Sequence, residues 1–203
     1  MIGILGGTRL SLTLGKALSS RGVEIAYGVR NGFCPSEIEW KILSMSPDKV
    51  RSFKEVIDTS SVLLICAENN FLEEVFEELS KTDLSNKTII DCTNSEDHKS
   101  LTCNTNFIMS KINSSKIFKA FNNLGLDYPT SDPIGLVKET YYCGPDIPEK
   151  TVVKQLISMV GFKAIDAGSL ENAPLLEAIY HLRNEICNNR KEQLDYHFRL
   201  ISV

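Results

Sequence analysis

The chain has 203 residues, of which 42% are hydrophobic and 24% charged, the proportions of an ordinary folded domain. Its 22 basic and 26 acidic residues give a formal net charge of -4, so no excess of positive charge directs it to nucleic acid or to an anionic membrane. We therefore expect no nucleic acid and no membrane among its partners, and we interpret residues 1–203 as a single domain.

No segment of the sequence predicts export or membrane insertion. The longest apolar run, Val62–Ala67, is far shorter than the roughly 20 residues that a membrane-spanning helix needs. The first residues, Met1–Gly7, lack the basic start and long apolar stretch of a secretory signal. The six cysteines, at positions 34, 66, 92, 103, 143 and 187, contain no C-x-x-C pair and no Cys/His pairing at zinc-ligand spacing. We expect a reducing, cytoplasmic location and no metal site.

Short runs of β-favouring residues alternate with helical patterns along the chain. Several of these runs are apolar throughout, as strands covered on both faces should be. The predicted strands are Ile2–Leu5, Val23–Tyr27, Val50–Ser52, Val62–Ala67, Thr88–Cys92, Ile117–Ala120, Thr140–Cys143 and Lys163–Asp166. Between them, Leu10, Leu14, Ala17 and Leu18 share one helical face, as do Phe71, Leu72, Val75, Phe76 and Leu79. The order predicts an α/β fold with a doubly wound, mostly parallel sheet and extra C-terminal strands.

Three further segments carry local predictions. Asn70, with Glu73 three residues later, has the pattern of a helix cap with a reciprocal acid. The irregular stretch from Asn122 to Val137 is either a functional loop or a plain connection. From Pro174 onward, apolar residues at 175, 179, 182 and 186 predict a long C-terminal helix, so that residues 170–203 form a helical extension. Its far half packs either on a second subunit, giving a homodimer, or within its own chain.

The most informative segment is Ile4–Gly15, in which a strand turns directly into a helix. Such a turn directs helix N-terminal N–H groups at an anion, and a dinucleotide pyrophosphate is the usual one. The three positions of the G-x-G-x-x-G fingerprint hold Gly6, Thr8 and Ser11, so only the first glycine is present. The hydroxyls of Thr8 and Ser11 either bind phosphate oxygens or obstruct the cofactor. Gly15 in the helix interior indicates that this helix lies close to the sheet.

The end of the second strand indicates which dinucleotide fits. NAD-binding domains commonly place an acid there, whereas an arginine accommodates the 2′-phosphate of NADP. Ile25–Gly32 contains no acid and offers Arg30, whose planar, always charged guanidinium suits a phosphate monoester. The alternative for Arg30 is an ordinary solvated surface charge. We predict NADP(H) as the cofactor.

These segments, together with Asp91–Asn94, Lys119–Asn122 and Asp166–Ala173, resemble the NADP-binding oxidoreductases that use the deazaflavin coenzyme F-420. The same fold resembles the cytosolic reductase domain of the six-transmembrane ferric reductases. The resemblance runs from Met1 to about Leu182 and implies a Rossmann-type domain. It implies that the first turn holds the pyrophosphate, that the second strand end holds the 2′-phosphate, and that Ala120, Phe121 and Asn122 lie near the nicotinamide.

Carried onto this chain, the resemblance implies thirteen cofactor-binding positions. They are Gly6, Gly7, Thr8, Arg9, Leu10, Val29, Arg30, Asn31, Cys66, Ala67, Glu68, Ala120 and Asn122. The chain departs from the family pattern at Thr8 or Ser11, Val29, Glu68 and Pro174. A carboxylate at position 68 would repel a dinucleotide unless it turns away, for example to cap the following helix.

Hydride transfer from a nicotinamide to a second flat redox molecule needs positioning and exclusion of water rather than a side-chain acid, base or nucleophile. We accordingly predict no catalytic residue. The first hypothesis is an NADP(H)-dependent oxidoreductase with a deazaflavin, a flavin or another small molecule as acceptor. The second is a non-catalytic NADP(H)-binding or interaction module with a degenerate phosphate-binding turn. The two differ in whether bound NADPH reduces any acceptor.

Overall fold

The computed structural model describes residues 1–32, 47–96, 103–123, 138–189 and 198. The greater part of the predicted 122–137 loop and the last part of the predicted C-terminal extension lie outside these residues.

A parallel sheet forms the centre of the described structure. Its strands are β1 (Ile2–Leu5), β2 (Ile25–Val29), β3 (Val50–Ser52), β4 (Val62–Ile65), β5 (Thr88–Asp91) and β6 (Ile117–Lys119), in the order β3-β2-β1-β4-β5-β6. Every neighbouring pair is parallel, for example Ile2 with Ile25 on one side and with Val62 on the other. Two smaller strands, β7 (Glu139–Tyr142) and β8 (Lys163–Asp166), pair with each other in parallel. All eight predicted strands are present, and the Rossmann-type fold class is confirmed.

Within the described residues, six α-helices pack around these strands and cover both faces of the sheet. They are α1 (Arg9–Ser19), α2 (Phe53–Thr59), α3 (Leu72–Ser80), α4 (Asn104–Lys111), α5 (Glu149–Val160) and α6 (Ala173–Asn189). One apolar cluster packs α1 and α5 against one face, and a second packs α2, α3 and α4 against the other. The central strands β1 and β4 are therefore buried on both sides, which explains why their sequences do not alternate.

Gly15 brings α1 unusually close to the sheet. A Cβ atom on Gly15 would lie 1.9 Å from the hydroxyl oxygen of Tyr27 on β2. No side chain larger than hydrogen fits there without displacement of the tyrosine or the helix. The close contact predicted from Gly15 is present, and it adjoins the strand end that carries Arg30.

The β7–β8 pair joins the main sheet through Lys119. This residue forms an isolated antiparallel bridge with Cys143, with backbone hydrogen bonds of 2.9 and 3.0 Å between them. Helix α6 covers this region through Ala173 and Leu176, which pack with Tyr141 and Cys143. The extra C-terminal strands and the long C-terminal helix are thus attached at the carboxyl end of β6.

One local prediction is wrong. Asn70 is not a helix cap, because residues 69–71 form a 3-10 turn and α3 begins at Leu72 after Phe71 with no side-chain cap.

The predicted long C-terminal helix is present as α6 (Ala173–Asn189). Two residues of its apolar seam, Leu175 and Leu182, are 61% and 53% exposed, whereas Ala173, Leu176 and Glu177 are buried. Spacing alone did not reveal that a charged residue occupies the inward position.

The exposed seam borders an apolar groove between α6 and the β7–β8 pair. The groove is lined in part by Tyr141, Leu175, Ile179 and Leu182. None of the helices in the described parts of the chain is long and apolar enough to cross a membrane.

Candidate functional site

The candidate site lies next to β1, where the order of strand addition changes direction: β2 and β3 lie on one side of β1, and β4, β5 and β6 lie on the other. β1 has β2 on one side and β4 on the other, and helices lead away from the two sides on opposite faces. In open α/β sheets, ligands bind outside the carboxyl ends of the strands at this switch point. The first turn, Gly6–Thr8, stands there between the ends of β2 and β4.

Gly6 is tightly enclosed by the backbone of β4. Its φ is +120°, and a Cβ atom would come within 2.5 Å of Cα and N of Ala67. Its N–H donates to the carbonyl of Gly28 at 2.8 Å. Any other residue would force the turn away from the neighbouring strand. The one fingerprint glycine that the chain retains is therefore the one that the turn geometry requires.

Thr8 and Ser11 form a capping box at the start of α1. The Thr8 hydroxyl accepts the N–H of Ser11 at 3.2 Å and donates to the carbonyl oxygen of Cys66 at 3.0 Å. The Ser11 hydroxyl in turn accepts the N–H of Thr8 at 3.3 Å. Ser11 is fully buried. Both hydroxyls therefore form hydrogen bonds within the protein, and the two departures from glycine are accommodated as a helix cap.

This capping box leaves part of the helix N-terminus for an anion. Of the four N–H groups of the first turn that lack an acceptor within the helix, the box uses those of Thr8 and Ser11. The N–H groups of Arg9 and Leu10 are not part of it. The first turn of α1 contains no acidic residue. The positive end of the helix dipole thus remains directed at the switch point.

A groove runs from the first turn to the end of β2. It is lined by Gly6, Gly7, Arg30, Phe53, Ala67, Glu68 and Phe71. The guanidinium carbon of Arg30 lies 4.8 Å from the centre of the Phe71 ring, at cation–π distance. This stacking holds the guanidinium beside the groove. Five of the thirteen predicted cofactor positions line this one groove.

The predicted capping role of Glu68 is not found. Glu68 precedes the 3-10 turn of residues 69–71 but makes no side-chain cap hydrogen bond. It is exposed and lines the same groove as Arg30. The groove is therefore lined by one positive and one negative side chain. The electrostatic potential in the groove depends on the orientation of the Glu68 side chain.

Five further predicted positions fall into two groups. Arg9, Leu10 and Asn31 lie at the partly or fully exposed edges of the site, and the Asn31 N–H donates to Glu74 at 3.1 Å. Val29 and Cys66 have their side chains in the core, at 9% and 3% exposure. Only the backbone of these two residues is in a position to contact a ligand.

Ala120 and Asn122 lie at the end of β6, away from the groove lining. Phe121 between them is fully buried and has φ +63°, a conformation that costs an aromatic L-residue energy and that clusters at functional sites. Asn122 donates to Oδ1 of Asn94 at 2.9 Å and to the carbonyl of Leu176 at 3.0 Å. Its own Oδ1 is buried without a hydrogen-bond partner among the described residues.

A buried charge cluster lies directly behind these residues. The Nζ atom of Lys119 is 2.7 Å from Oδ2 of Asp91 and 2.6 Å from Oε1 of Glu177. All three side chains are at most 3% exposed. Burial lowers the pKa of Lys119, but the two carboxylates raise it more, and the net result is a pKa above the ordinary value. Lys119 is therefore a protonated cation.

Every polar contact of the two carboxylates comes from a donor. Asp91 accepts the N–H and hydroxyl of Thr93 and the hydroxyl of Thr105, at 2.7 to 2.9 Å. Glu177 accepts the N–H groups of Ser95 and Asn104 at 2.8 and 3.1 Å, and the thiol of Cys103 at 3.3 Å. The backbone N–H groups and the Lys119 ammonium can only donate, so both carboxylates act here as hydrogen-bond acceptors.

The cysteines near the site are core residues. Burial raises the pKa of the thiols of Cys92 and Cys103, and raises that of Cys143 to about 12. A neutral thiol is a poor nucleophile and a poor metal ligand. Among the residues that the structure describes, no group of three or more His, Cys, Asp or Glu side chains is placed to hold a metal ion.

Sequence reasoning missed three kinds of residue at this site. The sequence pattern places Phe71 on the apolar face of a helix, but it precedes α3 and its ring supports Arg30. Phe53 lines the groove from the start of α2. A buried ion pair could have been predicted for Lys119 and Glu177, because a charge within an apolar strand or on the inner face of a helix requires a buried partner.

Comparisons with known proteins agree with this architecture. A protein described as an F-420-dependent NADP-reductase of Arthrobacter sp. FB24 superposes with a TM-score of 0.82 at 18% identity, over 99% of each chain. A reductive aminase of Aspergillus terreus, solved with NADPH and ethyl levulinate, gives a TM-score of 0.61 at 14% identity, over 91% of this chain and 60% of that one. At these identities the likeness establishes the fold.

In sequence, the metalloreductase STEAP3 of Rattus norvegicus is 25% identical over 182 residues. The match covers 88% of this chain and 36% of the relative, so the chain spans about a third of that protein's length. No protein-family model matches the sequence. The resemblance to F-420-dependent NADP-binding oxidoreductases and to the ferric reductase domain thus has support from both structure and sequence.

Proposed function

We propose that this chain is an NADP(H)-dependent oxidoreductase that binds the dinucleotide at the switch point between β1 and β4. The observation that carries the proposal is the groove in which the Gly6–Gly7 turn, the start of α1 and Arg30 stand together. The required glycine at the turn, the partly uncapped helix N-terminus and the stacked guanidinium fit a pyrophosphate and a 2′-phosphate. The proteins reported above that bear NADP or NADPH in their descriptions share this fold.

Each part of the site has a separate task in this proposal. The N–H groups of Arg9 and Leu10 hold the pyrophosphate, and Arg30 binds the 2′-phosphate. Ala120 and Asn122 lie on the nicotinamide side of the site. When bound, the cofactor supplies the hydride. The protein contributes by binding, orientation and exclusion of water, so no side-chain acid or base is needed.

For the acceptor we propose a small flat redox molecule, with a deazaflavin or a flavin as the first candidates. The support is the resemblance to F-420-dependent proteins and the superposition on one described in those terms. The test is to mix the protein with NADPH and follow the loss of absorbance at the reduced nicotinamide band with a deazaflavin, a flavin and a small carbonyl compound in turn. Binding of NADPH with no reduction of any acceptor favours a non-catalytic binding module.

The contact with the 2′-phosphate is tested by Arg30→Gln. We expect the affinity for NADPH to fall about 10- to 100-fold, because charge-assisted hydrogen bonds of this kind contribute on the order of 1.5–3 kcal/mol, while that for NADH changes little. Calorimetric titration gives both affinities. The matched control is Arg21→Gln, which removes an exposed arginine beyond the opposite end of α1. An unchanged ratio of NADPH to NADH affinity in Arg30→Gln would reject the role.

The predicted homodimer through α6 stays a prediction. The apolar groove beside Leu175 and Leu182 is the surface that such a contact would cover. Sedimentation velocity of the chain and of a Leu182→Lys variant checks it. A dimer that the substitution dissociates supports the contact, and a monomeric chain over the micromolar range rejects it.

A further inference from the structure

The cluster of Lys119, Asp91 and Glu177 is placed at the end of the sheet where the proposed nicotinamide site lies. Asp91 is the last residue of β5 and Lys119 the last of β6. Ala120 follows Lys119 directly, and its N–H donates to the carbonyl of Asp91 at 3.1 Å. Lys119 Nζ also donates to the carbonyl of Thr93 at 2.6 Å. The cluster therefore forms the layer immediately behind the residues proposed to contact the nicotinamide.

The cluster carries an excess negative charge. Lys119 contributes one positive charge, and Asp91 and Glu177 contribute one negative charge each, which leaves a formal charge of one negative unit. The donors around both carboxylates stabilise their charges but neutralise neither, because they are N–H, hydroxyl and thiol groups. In a buried, low-dielectric setting such a charge acts over a longer distance than a surface charge does.

The two forms of the cofactor differ in charge at the nicotinamide ring. The ring of NADP⁺ is positively charged, and that of NADPH is neutral, because NADPH has gained a hydride. The phosphates and the adenosine are the same in both forms. A fixed charge behind the ring therefore affects the relative affinity for the two forms, whereas the contacts of Arg30 and the first turn cancel from that comparison.

We infer that the buried cluster of Lys119, Asp91 and Glu177 stabilises bound NADP⁺ relative to bound NADPH and so makes the bound reduced cofactor a better hydride donor. This inference rests on the proposed function, since it assumes that the nicotinamide lies at the end of β6. The three side chains do not touch the nicotinamide ring. They act on it only through their net charge, so they are positioning residues and not catalytic ones. The same cluster fixes α6 to the sheet through Glu177.

A plain structural role makes a different prediction. If the cluster only held α6, β5 and β6 together, disturbing it would weaken the binding of NADP⁺ and NADPH by the same factor. The ratio of the two dissociation constants is therefore the discriminating quantity. It is measured by calorimetric titration without an acceptor, so it does not depend on turnover.

The first measurement uses the unaltered chain. We expect NADP⁺ to bind about 3- to 10-fold more tightly than NADPH. A factor in this range is what Coulomb's law gives for one partly shielded unit charge that does not touch the ring. The same factor is expected for NAD⁺ against NADH, because the ring charge is the only difference within each pair. Equal affinities, tighter binding of NADPH, or a factor that differs between the two pairs would overturn the inference. This measurement needs no variant to fold.

The second measurement uses Glu177→Gln, which brings the formal charge of the cluster to zero. We expect the ratio of the dissociation constant of NADPH to that of NADP⁺ to fall toward one. The matched control is Thr105→Val, which removes one hydrogen bond to Asp91 but no charge, and should weaken both forms equally. A folded Glu177→Gln protein that keeps the ratio of the unaltered chain contradicts the inference. Failure of the unaltered chain to bind either dinucleotide instead rejects the proposed function, and the inference with it.

Discussion

The hydroxyl of Thr8 donates a hydrogen bond of 3.0 Å to the carbonyl oxygen of Cys66, at the end of the neighbouring strand β4. The same hydroxyl accepts the N–H of Ser11, so one side chain caps α1 and joins it to the sheet. A glycine at position 8 would leave the turn without either bond. In this chain, side-chain hydrogen bonds of Thr8 fix the turn at a position where the fingerprint has glycine.

Thr8→Val keeps the shape of the side chain and removes both hydrogen bonds. We expect the free energy of unfolding to fall by about 1–2 kcal/mol, the usual cost of losing a helix cap. Denaturant unfolding followed by circular dichroism measures the change. Thr13→Val on the same helix is the control, since the Thr13 hydroxyl bonds only a carbonyl of its own helix, and it should change the stability by less than about 0.5 kcal/mol. Equal losses in the two variants would contradict the special role of Thr8.

Gly15→Ala tests the contact between α1 and β2. Helix propensity alone predicts a gain of about 1 kcal/mol, because alanine is the better helix former. The added Cβ would overlap the hydroxyl of Tyr27, so we expect a net loss of about 1–3 kcal/mol instead. Adding Tyr27→Phe removes the nearest atom and should restore part of the loss. Thermal and denaturant unfolding of the single and double variants gives the sign directly. A more stable Gly15→Ala protein would show that the helix shifts freely.

Glu68→Gln removes a negative charge from the lining of the proposed cofactor groove. We expect the affinity for NADPH to rise about 2- to 5-fold, because a carboxylate beside a polyanionic ligand is repulsive and its exposure screens much of that repulsion. Titration at low and at physiological ionic strength checks both the effect and its screening. Glu77→Gln, at an exposed position on α3 outside this groove, is the control and should leave the affinity unchanged. A weaker affinity in Glu68→Gln would mean that the carboxylate binds the ligand, for example through a ribose hydroxyl.

Lys119→Met leaves two buried carboxylates without their shared counterion. We expect a loss of about 3–5 kcal/mol in the free energy of unfolding at pH 7, as for other buried ion pairs broken on one side. The raised pKa of Lys119 fixes the pH range of its contribution, which is fully present below the unfolded-state value near 10.5 and is lost as the pH rises through the higher folded-state value. The stability difference between the two proteins should therefore stay constant from pH 7 to about 10 and shrink above it. A difference that is already falling at pH 8 would contradict the assignment.

The order of strands and helices was predictable from the sequence because a strand that is buried on both faces is apolar at successive positions. β1 and β4 are apolar along their whole length, and the helices between strands show the spacing of one buried face. The positive φ of Gly6 belongs to its own turn, and the need for a small residue at position 15 follows from the packing of α1 on the next strand, β2. Local pattern also predicted that Arg30 stands at the end of the second strand, where the structure places it beside the groove.

Only the tertiary structure showed what Thr8, Phe71 and Glu177 do. The inward hydrogen bond of Thr8 ends on Cys66, the ring of Phe71 lies against Arg30, and the carboxylate of Glu177 reaches Lys119. Each of these partners is distant along the chain, and periodicity records which face of an element is apolar but not which distant group meets it. The sequence by itself determined the scaffold and the position of the glycine turn between β1 and α1. Long-range packing decided the charge behind the proposed nicotinamide site, because a buried ion finds its partners only when separate strands and helices come together.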